Sequence, residues 1–383
     1  MSSGTLRSID ELELRERRVF LRADLNVPLR DGRISDDSRI RASLQTLQHL
    51  RDAGARVVMA SHLGRPKGSP SDALSLRPVA ERLGLPLAPD CIGEEVVDQV
   101  SRLRAGDAIL LENLRFHAGE EENDPEFVEA LATCCDAYVN DAFGTAHRAH
   151  ASTEGLARRL DRESAAGFLL QREVEALTCA RDNPERPYVC ILGGAKVSDK
   201  LAVLEALSQR ADAVAIGGAM AYTFLLAQAH EVGNSLVEPD LVETAGRLLE
   251  SDCELILPCD HVVVAKFGAS AQTVSQIPAG QVALDIGPQS VEAIRSRLAG
   301  ARTVFWNGPL GLFETPPFNR GSEAIARALA ECDAFSVVGG GDSLAAVAAS
   351  GVESGISHLS TGGGASLEFL EGRVLPGIEV LSA

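Results

Sequence analysis

The stretch PYVCILGGAKVSDKLAVLEALSQRA, residues 187–211, holds three signals in a fixed order. Tyr188 to Leu192 form a nearly continuous apolar, β-rich run, as expected of a strand buried on both faces of a parallel sheet. Gly193 and Gly194 follow, and the amphipathic run from Asp199 to Ala211 reads as a helix. Strand, glycine pair and helix together build a helix N-terminus whose free N–H groups aim at an anion. If the first turn begins near Lys196, Lys196 and Lys200 share a face at i,i+4. Like charges so placed cost about 0.2–0.5 kcal/mol unless something anionic bridges them.

The same rhythm extends along the whole chain. RVFLRADL, RVVMAS, AILLEN and AYVNDA read as strands in the first half. PYVCILGG, AVAIGG, ELILPCDHVVVA, TVFWNGP, FSVVGGGD and ISHLSTGG do so in the second. Helical patterns such as RIRASLQTLQHLRDAG separate them. The expected fold class is therefore α/β, with two doubly wound, Rossmann-like parallel-sheet domains. The boundary falls in LLQREVEALTCARDNPERP, a charged helix that Asn183-Pro184 ends. This predicts a domain over 1–170, a joining helix over 171–186, a second domain over 187–362 and a C-terminal segment over 363–383, with an open bilobed cleft.

A length of 383 residues suits two domains, each with its own core. The net charge of −18 argues against nucleic acid or an anionic membrane as partner. The start of the chain has no apolar core of a secretory signal, and the apolar run Ala213–Ala229 is interrupted by Gly217-Gly218. Eight cysteines without a C-x-x-C pair fit reduced thiols in a cytoplasmic protein. Only Lys67, Lys196, Lys200 and Lys266 are lysines among 36 basic residues, and two of them fall in GGAKVSDK. No lysine stands in a Walker A pattern, although Gly339–Gly341 and Gly362–Gly364 form two glycine triplets, each after an apolar run.

Ligands of open parallel sheets bind beyond the carboxyl ends of the strands. In the first half those positions offer Asp24, Asn26, Ser61, His62, Arg65, Glu112, Arg115, Asn140, Asp141, His147 and Arg148, suited to a small, highly charged anion. In the second half they offer Gly193-Gly194, Gly217-Gly218, Gly308 and Gly339–Gly341, suited to a nucleotide polyphosphate. Arg39 opens a helix behind Asp36 or Asp37 as cap, where a cation opposes the macrodipole and needs an anionic partner. Arg41 there reads equally as a solvated helix start. In LRFHAGEEENDPEF, Arg115 is the functional candidate, and Glu120–Glu122 read as a solvated face and cap. His147 and His150 lack a third ligand at a zinc spacing, so an anion site or polar network is expected there. Glu314 either stands exposed on a packing loop or meets a ribose. Asp342 and Ser343 either cap a helix or, for Asp342, hold Mg²⁺ with phosphate oxygens.

Taken in order, RADLNVPL, DDSRIRASL, ASHLGRPKG, LLENLRFHAGEE, YVNDAFGTAHRAHAST, ILGGAKVSDK, GGAMAYTFL, VFWNGPLGLFE, VVGGGDS and STGGGASLEFLEG resemble the phosphoglycerate kinase family over essentially the whole chain. The resemblance implies reversible transfer of the acyl phosphate of 1,3-bisphosphoglycerate to ADP, giving 3-phosphoglycerate and ATP with Mg²⁺, in a cytoplasmic monomer whose C-terminal segment packs back on the first domain. It implies that Asp24, Leu25, Asn26, Arg39, His62, Leu63, Gly64, Arg65, Arg115 and Arg148 hold the phosphoglycerate. Gly194, Lys200, Gly217, Gly218, Glu314 and Gly340, Gly341, Asp342 and Ser343 would hold the nucleotide, with Asp342 on the metal. Gly362, Gly363 and Gly364 would meet the phosphoryl group in transit, and Arg39, Lys196 and Lys200 would stabilise it. Leu25 stands where the family commonly has Phe, and Ala219 where it often has Gly. Two rival readings fit less well. A nucleotide-linked dehydrogenase would show G-x-G-x-x-G after its first strand, and a bilobed anion-binding protein has no use for Lys200 or Asp342.

Overall fold

The structure, a computed structural model, describes residues 5–382. The chain forms two compact units, one holding the residues up to Val174 together with those from Val374 onward, the other holding Glu175–Arg373.

The first unit contains β1 (Arg18–Ala23), the short hairpin β2 (Leu29–Arg30) and β3 (Arg33–Ile34), β4 (Arg56–Ala60), β5 (Ala108–Leu110), β6 (Ala137–Asp141) and β7 (Ser164–Ala166). Its main sheet has the order β5-β4-β1-β6-β7, with every pairing parallel. The strands are buried on both faces, which is why they read as apolar runs. Val19 and Leu21 of β1 enter a core with Ile40, Leu47, Leu50, Val57 and Met59. The alternate residues Phe20 and Arg22 point to the other face, where Phe20 stacks on Tyr138 at 6.0 Å.

The second unit contains β8 (Tyr188–Leu192), β9 (Ala213–Ile216), β10 (Glu254–Ile256), β11 (His261–Val264), β12 (Gln272–Val274), β13 (Val282–Ile286), β14 (Thr303–Asn307), β15 (Phe335–Gly339) and β16 (His358–Ser360). A parallel sheet of order β10-β9-β8-β14-β15-β16 forms the centre. The expected single strand ELILPCDHVVVA is two. Pro258 interrupts it, so β10 stays in the parallel sheet while β11 joins an antiparallel sheet of order β12-β11-β13. The apolar run Ala213–Ala229 divides into β9 and the helix Met220–Ala227. Among the described residues, no helix is long and apolar enough to cross a membrane.

The helix Phe168–Asp182 ends just before Asn183-Pro184, and the division between units falls inside it. The second unit continues to Arg373 rather than to 362. The helix Gly364–Leu370 buries Ala365, Ser366, Phe369 and Leu370, and Arg181 donates to the Phe369 carbonyl at 3.1 Å. From Val374 the chain belongs to the first unit. There Gly377 N–H donates to Ala146 O at 2.9 Å, and Arg7 N–H to Leu381 O at 3.0 Å.

Each parallel sheet has its first strand in the middle, flanked by strands whose connections run in opposite directions. The crevices between β1 and β6 and between β8 and β14 are therefore topological switch points, where such sheets receive ligands.

Candidate active site

At the first switch point the loop after β1 folds on itself. Asp24 Oδ1 accepts Asn26 N–H at 3.2 Å, and Asp24 Oδ2 pairs with Arg39 Nη1 at 2.5 Å. Asn26 Oδ1 accepts Gly64 N–H at 2.9 Å, tying this loop to the one after β4. Gly64 has φ +63, and a Cβ there would press on Leu74. Arg115 is buried and donates to Gly64 O at 2.8 Å. Its charge is disfavoured by burial and offset by Glu121 at 3.2 Å. Leu25 and Leu63 place their side chains in the core, so only their backbones are free to face a ligand. Arg65 is exposed, and Arg148 is half-buried with its Nε 3.2 Å from His147 Nε2. Asp36, not Asp37, accepts Ser38 N–H at the start of the helix Ser38–Asp52, at 2.9 Å, while Asp37 pairs with Arg82 and Arg41.

His62 lies amid this cationic set. Burial pushes its pKa well below the usual imidazole value, and the charges of Arg22, Arg115, Arg39 and Arg148 push in the same direction. Arg22 Nη2 approaches His62 Nδ1 at 3.2 Å. Because a guanidinium only donates, Nδ1 is the acceptor and Nε2 carries the proton.

Arg22 escaped the sequence reading, as did the group that neutralises it. The Arg22 side chain is buried, donating from Nε to Ser152 Oγ at 2.8 Å and from Nη1 to Ala23 O. Ser152 donates from Oγ and N to the Glu120 carboxylate at 2.6 and 2.9 Å. Glu120 is thus fully buried beneath the cluster and is no solvated cap; Asp124 caps the helix Pro125–Ala132 instead. Ser152 sits in a π-helical turn, Ala151–Gly155, an irregularity frequent at functional sites. His150 joins this network, its Nδ1 at 4.0 Å from Glu120, and burial lowers its pKa to about 4. The one local sign of all this was a charge at position 22 inside an apolar strand.

At the second switch point the glycines serve close approach. Gly308 has φ +94, and a Cβ on it would overlap Gly193 O and Lys200 Nζ. A Cβ on Gly217 would overlap Leu310, and one on Gly218 would meet Gly194 backbone atoms. Gly193 N–H donates to Asn307 O at 3.0 Å and Gly218 N–H to Leu310 O at 2.9 Å, so three loops cross in contact. Lys200 Nζ enters this crossing and donates to Asn307 O at 2.9 Å. Burial lowers its pKa to about 8, against the pull of Asp342 and Asp199.

The helix after β8 begins at Leu201, with Lys200 at its N-cap. Residues 197–200 are a bend and a turn, with Val197 buried. Lys196 and Lys200 therefore do not share a helical face. Lys196 is exposed and influences Glu238, which accepts Ser198 N–H at 3.0 Å and Ser198 O–H at 2.6 Å.

Gly340, at φ +91, is the N-cap of the helix Gly341–Ser350. Neither Asp342 nor Ser343 caps it. The buried Ser343 Oγ accepts Gly308 N–H at 2.6 Å, fixing the Lys200 loop. Asp342 is exposed in the first helical turn beside Lys200, and no hydrogen bond holds its carboxylate among the described residues. A free oxygen donor beside a glycine loop fits Mg²⁺, which takes one or two carboxylates plus phosphate oxygens. Glu314 is exposed on the loop after β14. Gly363, at φ +53, starts the short helix Gly364–Leu370, and Gly362 N–H donates to Ser360 Oγ at 3.3 Å.

The family model described as phosphoglycerate kinase matches residues 9–373. A phosphoglycerate kinase of Anaeromyxobacter sp. (strain Fw109-5) is 54% identical, over 98% of this chain and 99% of its own. One from Solibacter usitatus is also 54% identical, over 98% of each. Among solved structures, the phosphoglycerate kinase of Coxiella burnetii superposes with a TM-score of 0.88 at 40% identity, over 98% of this chain and 99% of that one. That of Pyrococcus horikoshii OT3 gives 0.87 at 33% identity, over 98% of each.

Proposed function

The chain belongs to the phosphoglycerate kinase family, and from that membership we infer how its residues divide the work. The reaction is transfer of the acyl phosphate of 1,3-bisphosphoglycerate to ADP, giving 3-phosphoglycerate and ATP, a step of glycolysis.

The observation that carries the division is the contrast between the two switch points: several cations around His62 at the first, bare glycine backbone around Lys200 at the second. Asp24, Asn26, Arg39, His62, Arg65, Arg115 and Arg148, with the backbone at Leu25, Leu63 and Gly64, bind phosphoglycerate. Arginine forks match its phosphate and carboxylate oxygens, and neutral His62 donates from Nε2. Gly194, Gly217, Gly218, Glu314, Gly340, Gly341 and Ser343 shape the nucleotide pocket.

Phosphoryl transfer asks the protein to align the reacting oxygens and to stabilise charge on the equatorial ones. Arg39 and Lys200 supply that charge, Lys196 assists from an exposed position, and the N–H groups of Gly362–Gly364 meet the group in transit. Bound Mg²⁺, held by Asp342, would neutralise phosphate charge. No side chain is needed as a nucleophile. Because the two ligands bind to different units, catalysis requires a closing motion that brings them in line and excludes water. We also propose a monomer, and a cytoplasmic location that eight free cysteines suit.

The test is a coupled assay with ATP, Mg²⁺ and 3-phosphoglycerate, in which a dehydrogenase reports the acyl phosphate. Turnover is expected; folded protein that gives none overturns the assignment.

A further inference from the structure

Asp90, Cys91 and His117 bring a carboxylate oxygen, a thiol sulfur and an imidazole nitrogen within 4.8 Å of one another. None of them has a part in the substrate or nucleotide sites above. Each is held by separate supports. Leu110 N–H donates to Pro86 O at 2.9 Å, and Ala88 N–H to Leu110 O at 2.8 Å, so the segment leading to Asp90 runs along β5. Glu112 N–H then donates to Asp90 O at 3.4 Å. His117 follows the 3₁₀ turn Leu114–Phe116, and its ring stacks on Phe127 with centroids 5.4 Å apart. Cys91 is wholly buried, whereas the Asp90 and His117 side chains are 44% and 31% exposed. The cluster therefore has a closed end at sulfur and a side open to solvent.

Its hydrogen bonds converge. His117 Nε2 is 2.7 Å from Asp90 Oδ1, and the same oxygen accepts Cys91 N–H at 2.6 Å. The imidazole, the carboxylate and the thiol thus converge where a cation would draw three lone pairs. Zinc bonds of about 2.0–2.3 Å place tetrahedral ligands about 3.3–3.6 Å apart. The His117–Asp90 pair needs to open and the sulfur to close by less than about 1.5 Å to reach those separations.

We propose that Asp90, Cys91 and His117 form a binding site for a thiophilic divalent cation of the zinc class, with its fourth position open to water. One sulfur, one nitrogen and one oxygen select such an ion over Mg²⁺, which prefers oxygen alone. On binding, the Cys91 S–H bond breaks, its proton leaves to solvent, and the thiolate pair forms the metal–sulfur bond. His117 binds through the Nε2 lone pair, with its ring proton on Nδ1. The thiol releases one proton per ion, with no change of oxidation state. The ion would clamp the segment along β5 to the turn that carries Arg115.

The test titrates the metal-stripped full chain with Co²⁺ and then Zn²⁺, without substrates. One equivalent of Co²⁺ is expected to give a thiolate-to-cobalt charge-transfer band and tetrahedral d–d absorption, both erased by Zn²⁺. Cys91→Ser abolishes the charge-transfer band, and His117→Gln weakens cobalt binding by about tenfold or more. Cys259→Ser, at an exposed thiol elsewhere, leaves the band in place. Absence of the band in the wild-type chain, or its survival in Cys91→Ser, overturns the site. Should Cys91→Ser fail to fold, His117→Gln decides alone: unchanged cobalt affinity refutes the proposal.

Discussion

The ammonium of Lys200 rests 2.9 Å from the backbone carbonyl oxygen of Asn307, at the carboxyl end of β14, with no side chain on Gly308 to displace it. The charge is thus held at the switch point of the nucleotide-type sheet by the backbone carbonyl and side-chain oxygen of Asn307, ready to turn toward phosphate oxygens. Lys200→Ala is expected to lower kcat by roughly 10²-fold or more while the fold persists. Lys200→Arg should not restore activity, since a planar fork does not fit the space that Gly308 leaves for a compact ammonium. Steady-state kinetics with circular dichroism check both; near wild-type turnover in Lys200→Ala would remove this residue from the mechanism.

Burial lowers the Lys200 pKa to about 8, so the free protein increasingly loses this proton above that pH. A polyphosphate favours the charged amine. Nucleotide binding near pH 9 should therefore take up protons, and affinity should fall as pH rises through 8. Calorimetry in two buffers of different ionisation enthalpy measures the uptake, which Lys200→Met should abolish. The stability effect has the opposite sign. Between about pH 8 and the ordinary lysine value near 10.5, the unfolded chain binds the proton and the folded chain does not. The Lys200 contribution to stability therefore grows as pH rises through that window.

Arg39 pairs with Asp24 at 2.5 Å and is one-third exposed. It opens the helix Ser38–Asp52, where its charge opposes the helix dipole. Arg39→Ala should lower the melting temperature, since Asp24 is buried and loses its cationic partner. It should also lower kcat by roughly 10²-fold. A variant with ordinary kcat and only a raised KM would reduce Arg39 to a binding residue.

Glu120 is fully buried and holds Ser152, which in turn holds Arg22. Glu120→Ala leaves the buried guanidinium without its countercharge and should destabilise the first unit by about 3 kcal/mol or more. Glu120→Gln, which keeps shape and loses charge, should fall between the two. Denaturant unfolding measures both. An alanine variant as stable as the parent would show that water, not Glu120, compensates Arg22.

What the sequence made legible follows from locality. β1, β4, β6, β8, β14 and β15 are short apolar runs buried on both faces, a property of consecutive residues. Lys200 stood out because lysine is scarce, yet its position did not. With Val197 buried, the chain winds through turns before its helix begins at Leu201. Arg22 and Glu120 were unreadable because each is compensated from far along the chain: Ser152 is 130 residues from Arg22. The antiparallel sheet was hidden by Pro258, which divides one apolar run between two sheets, and by the exposed, weakly apolar β12.

Gly308 offers a test of the glycine crossing that does not touch a charged residue. At φ +94 an alanine is strained, which costs about 1–3 kcal/mol. Its Cβ would also overlap Gly193 O, a fixed backbone atom, and Lys200 Nζ, which can yield only by leaving Asn307. Gly308→Ala should therefore lower both stability and kcat, the latter by pushing the ammonium off Asn307. The two effects separate in one experiment. Gly246→Ala, at a helical position where a Cβ meets nothing, should leave both unchanged. If Gly308→Ala loses stability but keeps full kcat, the ammonium does not need the Asn307 carbonyl, and the crossing serves packing alone.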